Sequence, residues 1–260
     1  MLPNRAARWP FVEYTRWVPE YRHIAEEFGF PFESEEAAAL ELTALLPPEA
    51  RESPTERLRG RLQGREVIVV GLAPASGAPP IEKLGRAEHP RAVVAADGAA
   101  QVCLDAGIVP EVIVTDLDGP VAAEVSANAR GALVLVHAHG DNRPAIAEWV
   151  PQFPGPLAGS WAGPPREELV NFGGFTDGDR AVYLAEAVGA GRILLFGFDF
   201  EDVRDPDAVR KRRKLVWARR SIDRLARGSH TPMVWLRGDG SQLPWQVLDA
   251  TADPTGPSTQ

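Results

Sequence analysis

The sequence predicts an α/β fold: a mostly parallel sheet covered by helices on both faces, preceded by a small helical region. Three observations predict it. From Arg65 onward, short β-branched runs alternate with stretches of helical periodicity, the pattern of successive strand–helix units. The first 62 residues instead carry apolar residues at spacings of three and four. An acidic or glycine-rich motif also follows one strand after another, at the edge where open α/β sheets hold ligands.

In the first 62 residues, Tyr14, Trp17, Tyr21, Ile24 and Phe28 form one apolar stripe. Pro19 lies within it and reads as the first turn of a second helix, so the stripe is expected to span two elements. Ser34, ahead of Glu35 and Glu36, reads as the N-cap of a helix that runs through Leu40, Leu42 and Leu45. Pro47-Pro48 cannot continue it. Residues 1–62 are therefore expected to form a cap or a dimerisation element, 63–249 the α/β domain, and 250–260 a frayed polar tail. Strands are expected at 66–70, 92–96, 112–115, 132–136, 156–160, 192–196 and 233–236. Helices are expected at 99–106, 121–129, 143–150, 179–188 and 206–227, which makes the order of elements Rossmann-like.

A chain of 260 residues with 44% hydrophobic content is long enough to bury one sizeable α/β core. The net charge of −8 argues against a general nucleic-acid grip, while a cleft can still carry its own field for an anion. The single cysteine, Cys103, excludes an intramolecular disulfide or a multi-thiolate metal site and fits a reducing cytoplasm. Between Val102 and Leu104 it reads as a small core residue. No apolar run approaches ~18 residues, so no membrane span is expected, and the first residues lack the apolar core of a signal peptide.

The centre of the chemistry is Thr115-Asp116-Leu117-Asp118-Gly119, directly after the strand at 112–115. Two carboxylates this close repel by roughly 1 kcal/mol at ~4 Å in water, and by more where the dielectric falls. A hard divalent cation removes that penalty, and Mg²⁺ takes one or two carboxylates plus substrate phosphates. An isolated Asp-x-Asp would read as a solvated turn with Asp as a cap; the neighbouring motifs favour the metal. The Gly71–Gly77 loop, with Ala73 and Ser76, follows the strand at 66–70 and can offer N–H groups to phosphate, though it is no P-loop. Asp97-Gly98 follows the strand at 92–96. His137-Ala138-His139-Gly140-Asp141-Asn142 follows the strand at 132–136; a zinc site there lacks a third soft ligand. Asp141 is instead expected beside Asp116 and Asp118 around Mg²⁺, with His137, His139 and Asn142 steering phosphate oxygens. In the stretch 171–180, Gly173 and Gly174 permit close backbone approach, Thr176 or Asp177 can cap a helix, and Arg180 can fork onto carboxylate or phosphate. Asp199 adds an acid after the strand at 192–196. Lys214 ends a basic run beside an apolar helical stripe and is the candidate for reaching a triphosphate.

Taken in order, the blocks at Asp97-Gly98, Thr115–Gly119, His137–Asn142, 171–180 and Gly197-Phe198-Asp199-Phe200 resemble the archaeal-type 6-hydroxymethyl-7,8-dihydropterin pyrophosphokinases, the MptE-like family. The resemblance covers roughly residues 65–240. The pairing of Asp97 with an Asp-x-Asp block also resembles thiamine pyrophosphokinase, but the His-x-His-Gly-Asp-Asn and Gly-Gly-Phe-Thr-Asp blocks favour the pterin family. The resemblance implies diphosphate transfer from ATP, with Mg²⁺, to a hydroxymethylpterin, releasing AMP in tetrahydromethanopterin or folate synthesis. Asp97, Asp116, Asp118 and Asp141 would be the catalytic acids, with Asp116, Asp118 and Asp141 on the metal. Gly71, Ala73, Ser76, His137, His139, Asn142, Arg180 and Lys214 would orient the triphosphate. Asp97, Gly98, Gly173, Gly174, Thr176, Asp177, Asp179 and Asp199 would line the substrate. Asp97 is left with two roles, the pterin's guanidine-like edge or the metal. The implied protein is cytoplasmic, takes ATP and a pterin, binds neither nucleic acid nor membrane, and can pair as a homodimer. A thiamine-directed or related transferase and a nucleotide-binding regulator without turnover are the alternatives.

Overall fold

The computed structural model describes residues 11–73, 77–85, 88–200 and 208–247. Among the described residues, four helices come first: α1 (Phe11–Phe28), α2 (Phe32–Leu45), α3 (Pro48–Arg51) and α4 (Pro54–Leu62). Strands and helices then alternate as β1 (Glu66–Val70), β2 (Arg91–Ala96), α5 (Ala99–Asp105), β3 (Val112–Thr115), α6 (Val121–Ala129), β4 (Leu133–Ala138), α7 (Arg143–Trp149), β5 (Leu157–Trp161) and β6 (Leu169–Val170). The remainder is α8 (Asp177–Ala187), β7 (Arg192–Phe196), α9 (Ala208–Gly228), β8 (Met233–Leu236) and β9 (Gln242–Pro244).

Among the described residues, nine strands form one sheet in the order β6-β5-β4-β3-β2-β1-β7-β8-β9. Every pairing is parallel except β8 with β9. All five residues of β1 are buried, as expected for a strand covered on both faces. The two-residue period then divides the side chains: Ile68 and Val70 join a core with residues of α2, α5, α6 and α7. Val67 and Val69 join the opposite core with residues of α1, α4 and α8. The α/β class read from the sequence is thus the observed one. Among the described residues, no helix is long and apolar enough to cross a membrane.

Local differences from the expected elements have physical causes. Pro19 lies inside a single α1 rather than at the start of a second helix. The buried Trp17 and Ile24 hold both halves of α1 against one core and offset the hydrogen bond that proline forgoes. Ser34 does not cap α2, because Pro31, with an extended backbone, starts the helix at Phe32. The expected helix at 206–227 is seen from Ala208; its first two positions lie outside the described residues. β6 and β9, only two and three residues long, are too short to show a period.

The sequence order of strands reverses at β1, whose neighbours are β2 and β7. Val70 pairs with Ala95 and with Phe196, so the three strand tips end nearly level. Such a reversal opens a crevice at the carboxyl ends of the strands.

Candidate active site

A cavity of about 330 Å³ opens at that crevice. Its walls come from the segments after β1, β2, β3 and β7, the start of α8 and one face of α9. Asp97, Asp116 and Asp118 line it, and each offers a carboxylate oxygen lying within 4.8 Å of the other two. Asp97 and Leu117 both take positive φ, +44° and +67°, which is uncommon for residues with a Cβ and least so for Asp. Thr115 secures the turn: its hydroxyl accepts from the Leu117 N–H at 2.9 Å and donates to Asp97 Oδ1 at 3.4 Å. A Cβ on Gly119 would sit 2.4 Å from both Asp97 carboxylate oxygens, so glycine there makes room for the acid.

Like charges this close raise one another's proton affinity. Burial, then Asp118, pushes Asp97 up against the opposing hydrogen bond from the Gly98 N–H. Asp118 is raised by desolvation and by Asp116, while Lys214 and Lys211 of α9 pull it down. Asp116 Oδ1 is buried without a hydrogen-bond partner. Beneath the trio, Glu124 of α6 is fully buried next to Asp97. Neither of its oxygens meets a partner in good hydrogen-bond geometry, although Thr115 and Asp97 lie beside it. Burial and the Asp97 charge push its carboxyl up to about 8.

The other expected site residues divide sharply. Gly71, Ala73, Thr176, Asp177, Asp199 and Lys214 line the cavity. The N–H groups of Gly71 and Ala73, expected to face phosphate, instead donate to the carbonyls of Phe196 and Gly197 at 2.8 and 2.9 Å. Ser76 lies outside the described residues. Asp141 is not one of the clustered acids; its side chain is 78% exposed, 3.8 Å from His139 Nε2. Asp97 stands beside Asp116 and Asp118, where Asp141 was expected.

Neither His137 nor His139 lines the cavity. β4 runs on to Ala138, so His137 lies within the strand, its Nδ1 3.0 Å from Ser160 Oγ. Burial and the nearby Arg180 charge push its proton affinity well below the usual imidazole range, which keeps the ring neutral. His139 Nδ1 meets the buried Glu35 of α2 at 2.6 Å, and its ring abuts Phe30 edge-on. Asn142 is spent inside the fold: its side-chain amide donates to the carbonyls of Asp116 and His137, and its oxygen accepts from the His139 N–H. Gly98 starts α5 with its Cα facing Leu72 and Pro120. Gly173 and Gly174, at φ of +97° and +89°, fit against Tyr183 and the main chain of Arg180 rather than the cavity. Asp179 caps α8, accepting from the N–H groups of Phe175 and Thr176 and from the Thr176 hydroxyl. Arg180 pairs with Asp177 at 2.9 Å and donates to the Phe175 carbonyl. Residues that the sequence reading did not single out are Lys211, Phe175 and Phe198 in the wall and Glu124 beneath it. Lys211 sits three residues before Lys214, a helical spacing that was open to reading; Glu124 carried no local signal.

Residues 43–205 match a family model described as 6-hydroxymethylpterin diphosphokinase MptE-like. The chain is 38% identical over 229 residues to the 6-hydroxymethyl-7,8-dihydropterin pyrophosphokinase of Methanothermobacter thermautotrophicus, an alignment spanning 83% of this chain and 96% of that protein. Proteins of the same name from Methanocaldococcus jannaschii and Pyrococcus furiosus are 33% and 35% identical, over 82% and 88% of this chain and 96% of each relative.

Proposed function

The chain belongs to the MptE-like family of 6-hydroxymethylpterin diphosphokinases, and from that premise we propose that it transfers the terminal diphosphate of ATP to 6-hydroxymethyl-7,8-dihydropterin. The hydroxymethyl oxygen attacks the β-phosphorus, the bond from that phosphorus to the α,β-bridging oxygen breaks, and AMP leaves. The hydroxyl proton is released, and the product is the pterin diphosphate.

One observation carries this reading: three carboxylates converge in a cavity whose facing wall carries Lys211 and Lys214. Acids alone would repel a triphosphate, and lysines alone would leave the acids unneutralised. The orphaned Asp116 Oδ1 and the raised proton affinities of Asp97 and Asp118 fit a cation site. A divalent cation such as Mg²⁺, held by Asp97, Asp116 and Asp118, supplies charge neutralisation to the phosphates when bound.

The chain's own residues do the rest. Lys214 and Lys211 attract and orient the phosphate tail as mobile point charges. The walls hold acceptor and donor for in-line attack, which removes much of the entropy of a bimolecular encounter. Incubation of the protein with ATP, Mg²⁺ and the hydroxymethylpterin, followed by separation of products, tests this. AMP and pterin diphosphate are expected; thiamine diphosphate from a parallel reaction with thiamine, and none from the pterin, would replace the acceptor.

A further inference from the structure

Two further acids line the cavity, Asp177 and Asp199, and Asp177 has a fixed setting. It is the first residue of α8, where a helix N-terminus would otherwise favour a phosphate. A carboxylate already standing there disfavours a second anion, so this end of the cavity suits a group that donates hydrogen bonds. The Asp177 side chain is only 14% exposed and the side chain of Arg180 only 9%. Arg180 Nη1 holds Asp177 Oδ1 at 2.9 Å while Nη2 is tied to the Phe175 carbonyl at 3.0 Å, so the acid is pre-oriented. The next residue, Gly178, has its Cα so near Phe198 that an added Cβ would lie 3.1 Å from the ring, which sets an aromatic wall beside the acid.

We propose that Asp177 is the specificity-determining residue for the pterin, accepting hydrogen bonds from its N3–H and 2-amino groups while Phe198 flanks the heterocycle. This rests on the function proposed above. A pterin presents two adjacent donors on that edge, which one carboxylate matches. The equivalent edge of adenine pairs one donor with one acceptor, so a carboxylate leaves the acceptor unsatisfied. With Asp97 engaged among the clustered acids, Asp177 takes the guanidine-like edge. Burial raises the energy of the ionised Asp177, and two N–H donors relieve that.

The test pairs a variant with a substrate analogue. Asp177→Asn keeps an oxygen to accept from Arg180, and its folding is checked by thermal unfolding. The analogue is 6-hydroxymethyl-7,8-dihydropterin with hydrogen in place of the 2-amino group. In the wild-type protein the analogue should raise KM by about 10- to 100-fold, the worth of a charge-assisted hydrogen bond. Asp177→Asn should raise KM for the parent pterin by a similar factor and leave KM for ATP within about twofold. On the variant, the analogue should carry little further penalty. Unchanged pterin KM, a rise in the ATP KM instead, or two penalties that multiply would overturn the proposal. Failure of the wild-type protein to make pterin diphosphate at all would overturn the function itself, and shows before any variant is made.

Discussion

The side-chain amide of Asn142 donates to the main-chain carbonyl of Asp116 at 2.7 Å. A second bond from the same nitrogen reaches the His137 carbonyl at 2.8 Å, so one amide ties the exit of β3 to the exit of β4. Asn142→Ala removes both and should destabilise the fold by about 1–3 kcal/mol. It should also lower turnover about tenfold or more by loosening Asp116, if that residue holds the proposed cation. Urea unfolding and steady-state rates measure the two effects separately.

Asp116→Asn and Asp118→Asn should act on catalysis and not on folding. Each should reduce turnover about 100-fold or more, since both carboxylates face the cavity. In metal-free buffer, Asp118→Asn should leave stability within about 0.5 kcal/mol or increase it, because it relieves repulsion from Asp116. Thermal melts in a chelator, set beside rate assays, check this.

Glu124 predicts a pH dependence of stability. Its carboxyl titrates at about 8 in the folded protein against 4.5 for the ordinary group. Between these values the native state holds a proton that the unfolded chain has released, so stability falls as pH rises through that window. Glu124→Gln lacks this loss. Its stability relative to wild type should therefore improve from pH 4.5 upward and level off above about 8, with a total gain on the order of a few kcal/mol. Chelator-treated protein melted from pH 5 to 9 tests the sign.

Gly119→Ala should displace Asp97, because the new methyl would fall 2.4 Å from both carboxylate oxygens. Binding of Mn²⁺, followed by its paramagnetic signal, should weaken about tenfold or more with little change in secondary structure.

The sheet was legible because its strands are β-branched runs buried on both faces, and every long strand was found within two residues of its place. The Asp-x-Asp turn and Asp97 were visible as acids on strand tips. What periodicity could not show was which strand tips meet. Asp141 follows β4, two strands from β2, and a short helical turn carries it toward solvent. His139 and Asn142 looked like ligands because their residue types are; their partners, Glu35 of α2 and the Asp116 carbonyl, are supplied by distant parts of the chain. Glu124 sits in an ordinary helix and becomes notable only once α6 lies under Asp97.

The most direct measurement follows the phosphorus atoms of ATP by ³¹P NMR in the presence of Mg²⁺, the hydroxymethylpterin and this protein. One AMP and one pterin diphosphate should appear for each ATP consumed, the diphosphate retaining both outer phosphorus atoms. ADP as the nucleotide product, or ATP left intact beside unreacted pterin, would contradict the assignment of diphosphate transfer to this cavity.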